Sequence, residues 1–257
     1  MNTDAGRGEI RAEVRSGVGW VTLSRPEKRN ALTTAMWTAL PGVVHALIAR
    51  DDLVAIVLQG AEGTFGAGAD LEDVVAATAG RTEATEYCTR VVTALLAVAT
   101  APLPTLALVA GVAAGGGAEL ALACDLRVAE QSASFAFPFA RLGVVPDRFT
   151  LERLVATVGA TRARRLVFTG ETVDATLALS IGLVDEVTDE GGLAAAAVTW
   201  AESLRQGSRS ARIGMKRVLA GDETRHDVTA LVRPMVDSIV GGEVRAAALR
   251  FLEKRGS

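Results

Sequence analysis

The sequence predicts an α/β fold, and three observations carry that prediction. Apolar, β-branched runs of strand length recur at residues 10–14, 18–23, 53–59, 104–110, 126–129, 134–137 and 183–187. Stretches with helical periodicity separate most of them. Two of the runs lead straight into glycine-rich loops that open helices, the strand–loop–helix connection of a layered α/β domain.

Taken in order, the first two runs flank Ser16-Gly17 and read as a hairpin. Residues 33–50 read as a helix capped at Thr33 or Thr34. After the strand at 53–59, Asp70 is a plausible N-cap for a helix over 71–79, and Gly80 separates it from a second helix over 83–100. The strand at 104–110 precedes a helix of small residues ending near Cys124. Helices follow at 149–159, 160–168 and 174–180, with strands around them. From residue 192 to 254 the pattern is helical, interrupted near Gly207, Gly221 and Gly241. Residues 1–190 thus form an α/β core and 191–257 a helical C-terminal region.

Composition excludes several function classes. The chain has 257 residues and a formal net charge of −3, from 27 basic and 30 acidic side chains. That balance supplies neither a nucleic-acid surface nor a polybasic membrane anchor. The first residues lack the apolar core of a signal peptide, and no apolar run reaches membrane-spanning length. Cys88 and Cys124 make no metal spacing and no disulfide framework. A cytoplasmic protein is expected. No G-x-G-x-x-G opens a helix and no Gly-Lys-Ser/Thr ends a glycine loop, which argues against a nucleotide-binding domain. No G-x-S-x-G elbow is present, which argues against a serine hydrolase.

The chemistry concentrates in two glycine segments. Gly111-Val112-Ala113-Ala114-Gly115-Gly116-Gly117-Ala118-Glu119 carries the chain from a strand into a helix. Backbone N–H groups at such a junction are unpaired and lie at the positive end of the helix dipole. Glu119, one turn past Gly116, puts an ionisable group beside a place built to hold negative charge. The second segment, Phe65-Gly66-Ala67-Gly68-Ala69-Asp70-Leu71, is another strand-to-helix loop. Two such loops can form a two-donor oxyanion hole.

These segments resemble the crotonase superfamily, the enoyl-CoA hydratase/isomerase family. Further matches are Ser24-Arg25-Pro26-Glu27-Lys28-Arg29-Asn30-Ala31-Leu32, Thr169-Gly170-Glu171, the stretch from Ala178 to Val187, and Phe251-Leu252-Glu253-Lys254-Arg255. The resemblance implies a spiral of ββα units, a helical C-terminal region for trimerisation, and a trimer or dimer of trimers. It implies an acyl-CoA thioester substrate whose enolate is held by the N–H groups of Ala69 and Gly116. It places the CoA adenine along Ala67, Gly68, Ala69, Asp70 and Leu71, and the CoA phosphates near Arg25, Lys28 and Arg29. No metal or redox cofactor is implied, because CoA arrives with the substrate.

By the same resemblance Glu119 is one of two catalytic glutamates of family hydratases. The partner is expected after Pro138, where this chain has Phe139. Asp147, in Leu142-Gly143-Val144-Val145-Pro146-Asp147, matches an acid that shuttles protons in a branch of the family that includes some isomerases. Asp147 as a plain N-cap is the competing reading, and Arg148 is a candidate partner for it. Glu119 and Asp147 are therefore expected to line one pocket, with Phe139 in its wall. Hydration of a 2-enoyl-CoA and double-bond isomerisation both remain open, and a non-catalytic acyl-CoA-binding homologue is the alternative. Among the other residues, Asp70 reads as a cap, Asp125 as a turn residue, and His45, His226, Trp37 and Tyr87 as surface or packing groups.

Overall fold

The first element is the expected hairpin: β1 (Glu9–Arg15) pairs antiparallel with β2 (Val18–Ser24). Ser16 and Gly17 both have positive φ, the turn that matches strand twist. The structure, a computed structural model, describes residues 8–220 and 227–253. Gly221, His226, Lys254, Arg255 and the first seven residues lie outside that description.

After β2, α1 (Thr34–Ile48) starts at Thr33, whose hydroxyl accepts from the Met36 N–H. β3 (Ala55–Gly60) leads through the first glycine loop to α2 (Leu71–Ala77), and α3 (Arg81–Ala99) follows Gly80. β4 (Thr105–Val109) is followed by a short strand the sequence did not reveal, β5 (Val112–Ala114), and then α4 (Gly116–Ala123). Next come β6 (Leu126–Glu130), β7 (Ser134–Ala136), α5 (Phe139–Leu142), α6 (Arg148–Val158) and α7 (Ala160–Thr169). β8 (Thr172–Asp174), α8 (Ala175–Ser180) and β9 (Glu186–Thr188) complete the core. The C-terminal region is α9 (Leu193–Arg205), α10 (Arg209–Ala220), α11 (Val228–Val240) and α12 (Glu243–Glu253).

The main sheet has the order β1-β2-β3-β4-β6-β9, parallel beyond the hairpin. A second sheet, β5-β7-β8, stands apart from it. Central strands are apolar on both faces because both faces are covered. Val21, Leu23, Ile56, Leu58, Ala107 and Val109 point into the principal core with Trp37, Leu95 and Leu120. Their strand neighbours Val18, Trp20, Val57, Leu106, Leu108 and Val128 meet Ala197 and Ala201 of α9 on the opposite face.

In the C-terminal region α11 packs on α3, and α12 packs on α2 and α5. No helix among the described residues is long and apolar enough to cross a membrane.

Candidate active site

The two glycine loops are stitched together by backbone hydrogen bonds. Gly66 N–H donates to Val112 O at 2.9 Å, and Ala114 N–H to Gly66 O at 3.0 Å. One step on, Leu32 N–H donates to Gly68 O at 2.7 Å and Asp70 N–H to Leu32 O at 2.9 Å. In such a bridge only alternate amides face the partner, so the Ala69 N–H points the other way. It has no acceptor among the described residues. Gly116 opens α4, and the first intrahelical bond is Glu119 N–H to Gly115 O at 2.9 Å. The Gly116 N–H is therefore one of the unpaired donors of a helix start.

Glycine lets these two donors meet. A Cβ on Gly117 would lie 2.1 Å from Gly66 O, an impossible contact, so the loops could not close on any larger residue. Gly68 has φ +112, and a Cβ there would lie 2.9 Å from Ala114 O and 3.6 Å from the Gly116 nitrogen. A Cβ on Gly116 would stand 3.4 Å from the Ala69 nitrogen.

The amides open onto a cavity of about 340 Å³. Lys28, Ala67, Gly68, Ala69, Asp70, Leu71, Gly116, Glu119 and Phe139, all expected at the site, line it. Glu119 sits three residues past Gly116 on the same helix face. It is buried, and its Oε1 has no hydrogen-bond partner. Burial, with a smaller contribution from the Asp147 charge, pushes its carboxyl up to about 8. Desolvation here outweighs the helix dipole, which favours the anion at an N-terminus.

Asp147 departs from expectation. It is fully buried but does not line the cavity; it is the N-cap of α6, and it bears on Glu119 through its charge. Its Oδ1 accepts from Thr150 N–H at 2.9 Å and its Oδ2 from Thr150 Oγ1 at 2.7 Å. Burial raises its carboxyl above the ordinary value, against the lowering effect of the Thr150 bonds. Arg148 does not pair with it: the guanidinium points to solvent and bonds Glu152 Oε1 at 2.6 Å, one helical turn on.

Arg25 is also committed elsewhere. Its side chain is buried, and its Nη1 lies 2.5 Å from Asp70 Oδ2. Asp70 meanwhile caps α2, its Oδ1 accepting from the Glu72 and Asp73 N–H groups. Burial pushes the Asp70 carboxyl up, but Arg25 and the two amides outweigh it and hold it below the ordinary value. This pair fixes the loop that presents Ala69, and it leaves two accessible cations in the motif: Lys28, on the cavity wall, and the exposed Arg29, which does not line the cavity.

Sequence reasoning missed two groups of cavity residues. Tyr87 and Trp37, read as packing groups, both line the cavity. Met235, Ile239, Val244, Ala248, Phe251 and Leu252 close it from α11 and α12. Of these, only Phe251 and Leu252 carried any signal, as part of the C-terminal match. Among the described residues no group of three or more His, Cys, Asp or Glu side chains could hold a metal ion.

The site thus sets two unpaired backbone amides, of Ala69 and Gly116, and the buried Glu119 carboxyl on one cavity of an α/β protein. Residues 13–257 match the model of the enoyl-CoA hydratase/isomerase family. A probable enoyl-CoA hydratase of Mycobacterium leprae is 37% identical over 194 residues, covering 76% of this chain and 74% of that protein. Another, from Rhizobium meliloti, is 35% identical over 207 residues, 80% of this chain and 79% of the relative. An enoyl-CoA hydratase/isomerase crystal structure from Xanthobacter autotrophicus superposes with a TM-score of 0.82 at 27% identity, covering 96% of this chain and 97% of that one. The enoyl-CoA hydratase of Bacillus halodurans shares the fold, with a TM-score of 0.86 over 94% of this chain and 99% of its own. The chain belongs to the enoyl-CoA hydratase/isomerase, or crotonase, family.

Proposed function

We propose that this protein adds water to a 2-enoyl-CoA thioester through an enolate held by the N–H groups of Ala69 and Gly116, with Glu119 handling the protons. The observation that carries the reading is Glu119 itself: a buried carboxyl with an unpartnered oxygen, on the cavity wall beside two free amides. A group titrating near about 8 exchanges protons close to working pH, which suits it to act as base and then acid. Relatives named probable enoyl-CoA hydratases support the same reaction class. Each lost oxyanion donor would cost about 3 kcal/mol of transition-state stabilisation.

Isomerisation of a 3-enoyl-CoA is the second reading, favoured by Phe139. With an apolar side chain where a second catalytic carboxyl is expected, Glu119 would act as a single base, and one base suffices for a 1,3-proton shift. Asp147 would act in either case through its charge, by keeping Glu119 protonated to higher pH. The backbone of Ala67, Gly68, Ala69, Asp70 and Leu71 would hold the adenine and Lys28 a CoA phosphate. Exposed Phe168, Met215, Val218 and Leu219 supply apolar surface for a trimer or a dimer of trimers, testable by light scattering.

Two assays on purified protein decide between the reactions. Loss of the conjugated absorbance of a 2-enoyl-CoA, reduced about 10²–10⁴-fold by Glu119→Gln, is expected for hydration. Gain of that absorbance from a 3-enoyl-CoA would assign isomerisation instead. Silence in both with acyl-CoA still bound would favour either a different thioester substrate or the non-catalytic alternative.

A further inference from the structure

Tyr87 is a buried phenol with no partner. It projects from α3 into the cavity wall, it is 5% exposed, and its Oη makes no hydrogen bond. Such a donor is costly to bury unless something at the site accepts from it.

The carboxylates that bear on it electrostatically are Asp70, Asp73 and Glu119. Asp70 is taken by Arg25 and the α2 cap. Asp73 Oδ2 accepts from the Thr34 N–H at 2.5 Å. Glu119 Oε1 remains, and it too lacks a partner. Two residues of the same cavity wall thus each carry an orphaned polar atom, one a donor and one an acceptor, and the two do not bond each other. Phe139, where a second carboxyl would stand, offers neither function.

We infer that Tyr87 is the second polar group of the reaction centre, donating a hydrogen bond to the oxygen that adds to C3 and then to the 3-hydroxyl of the product. This inference rests on the hydration reading. The water oxygen bonds to C3 while one of its protons passes to the Glu119 carboxylate. The C2=C3 electron pair moves toward the thioester oxygen, held by Ala69 and Gly116. Glu119 then returns the proton to C2. Tyr87 keeps its own proton throughout; burial and the neighbouring carboxylates hold its phenol neutral. The substrate class is correspondingly narrowed to the pair of 2-enoyl and 3-hydroxyacyl thioesters, as against saturated ones.

Tyr87 is the one tyrosine in the sequence, so protein labelled with ¹³Cζ-tyrosine gives a single tyrosine NMR signal. That signal is expected to shift on saturation with 3-hydroxybutyryl-CoA and to move little with butyryl-CoA. Tyr87→Phe is expected to weaken 3-hydroxybutyryl-CoA binding about tenfold, the size of one hydrogen bond, and to leave butyryl-CoA affinity unchanged. Equal shifts with both ligands, or equal affinity losses for both, would overturn the inference. The NMR measurement uses unaltered protein, so it stands even if the variant misfolds. A selective shift without turnover of 2-enoyl-CoA would sink the hydration reading and keep Tyr87 as the hydroxyl ligand. Turnover without a selective shift would do the reverse.

Discussion

Replacing Glu119 with glutamine is expected to stabilise the protein while disabling it, and the gain is expected to grow with pH. The folded carboxyl titrates at about 8, against an ordinary value of 4.5. Each pH unit between folded and unfolded titration is worth about 1.36 kcal/mol, so the full gap corresponds to roughly 5 kcal/mol. The folded state keeps a proton that the unfolded chain releases. The associated stability is therefore fully present below about pH 4.5 and is drained as pH rises to about 8. Glutamine has no such titration. Urea unfolding of both proteins at intervals from pH 5 to 7.5 should show the stability difference widening by about 3 kcal/mol in favour of the variant. Asp147 also titrates upward in the folded protein, but it is present in both proteins and largely cancels in the difference. Parallel stability curves would refute the argument, because they would mean that Glu119 is solvated or paired and does not confront the cavity as an unpartnered carboxyl.

Three other substitutions probe the construction of the site. Gly117→Ala forces a methyl group to within 2.1 Å of Gly66 O; the two loops should part, with a loss of more than about 3 kcal/mol in urea unfolding and a collapse of kcat. Arg25→Met leaves Asp70 buried without its partner and should cost about 3–5 kcal/mol. The wild-type pair should weaken in acid, since Asp70 lies below its ordinary pKa and its contribution is lost as pH falls through the folded value. Asp147→Asn keeps a side-chain oxygen to cap α6 but removes the charge that bears on Glu119. The midpoint of the kcat/KM pH profile should move to lower pH, with maximal activity changed only a few-fold; a large loss of maximal activity would make Asp147 a proton carrier in its own right.

Much of the fold was legible because local signals agreed with one another. Thr33, Asp70 and Asp147 each read as plausible caps, and each accepts a backbone N–H at the start of its helix. Apolar runs such as 104–110 marked central strands because both of their faces are covered. What went unread were elements too short for periodicity: β5, β8 and α5, of three, three and four residues. β5 matters most, since its pairing with Gly66 brings the two glycine loops together. No pattern within three residues could announce it, because its partners are remote in sequence: β7 lies about twenty positions later and Gly66 more than forty earlier.

By itself the sequence determined the two strand-to-helix loops, the carboxyl of Glu119 one turn beyond Gly116, and the absence of a second carboxyl at Phe139. These are local properties, set by residue type and by spacing along one helix or loop. The tertiary structure decided which groups remain free to act. It consumed Arg25 in a buried pair, and it enclosed Asp147 off the cavity wall with both oxygens engaged. It left the Ala69 and Gly116 amides unpaired, and it brought Tyr87, Trp37 and the α11–α12 face around the same space. Availability is a property of neighbours: a donor or acid is usable only if burial, ion pairing and hydrogen bonding have not already claimed it, and those neighbours come from parts of the chain far apart in sequence.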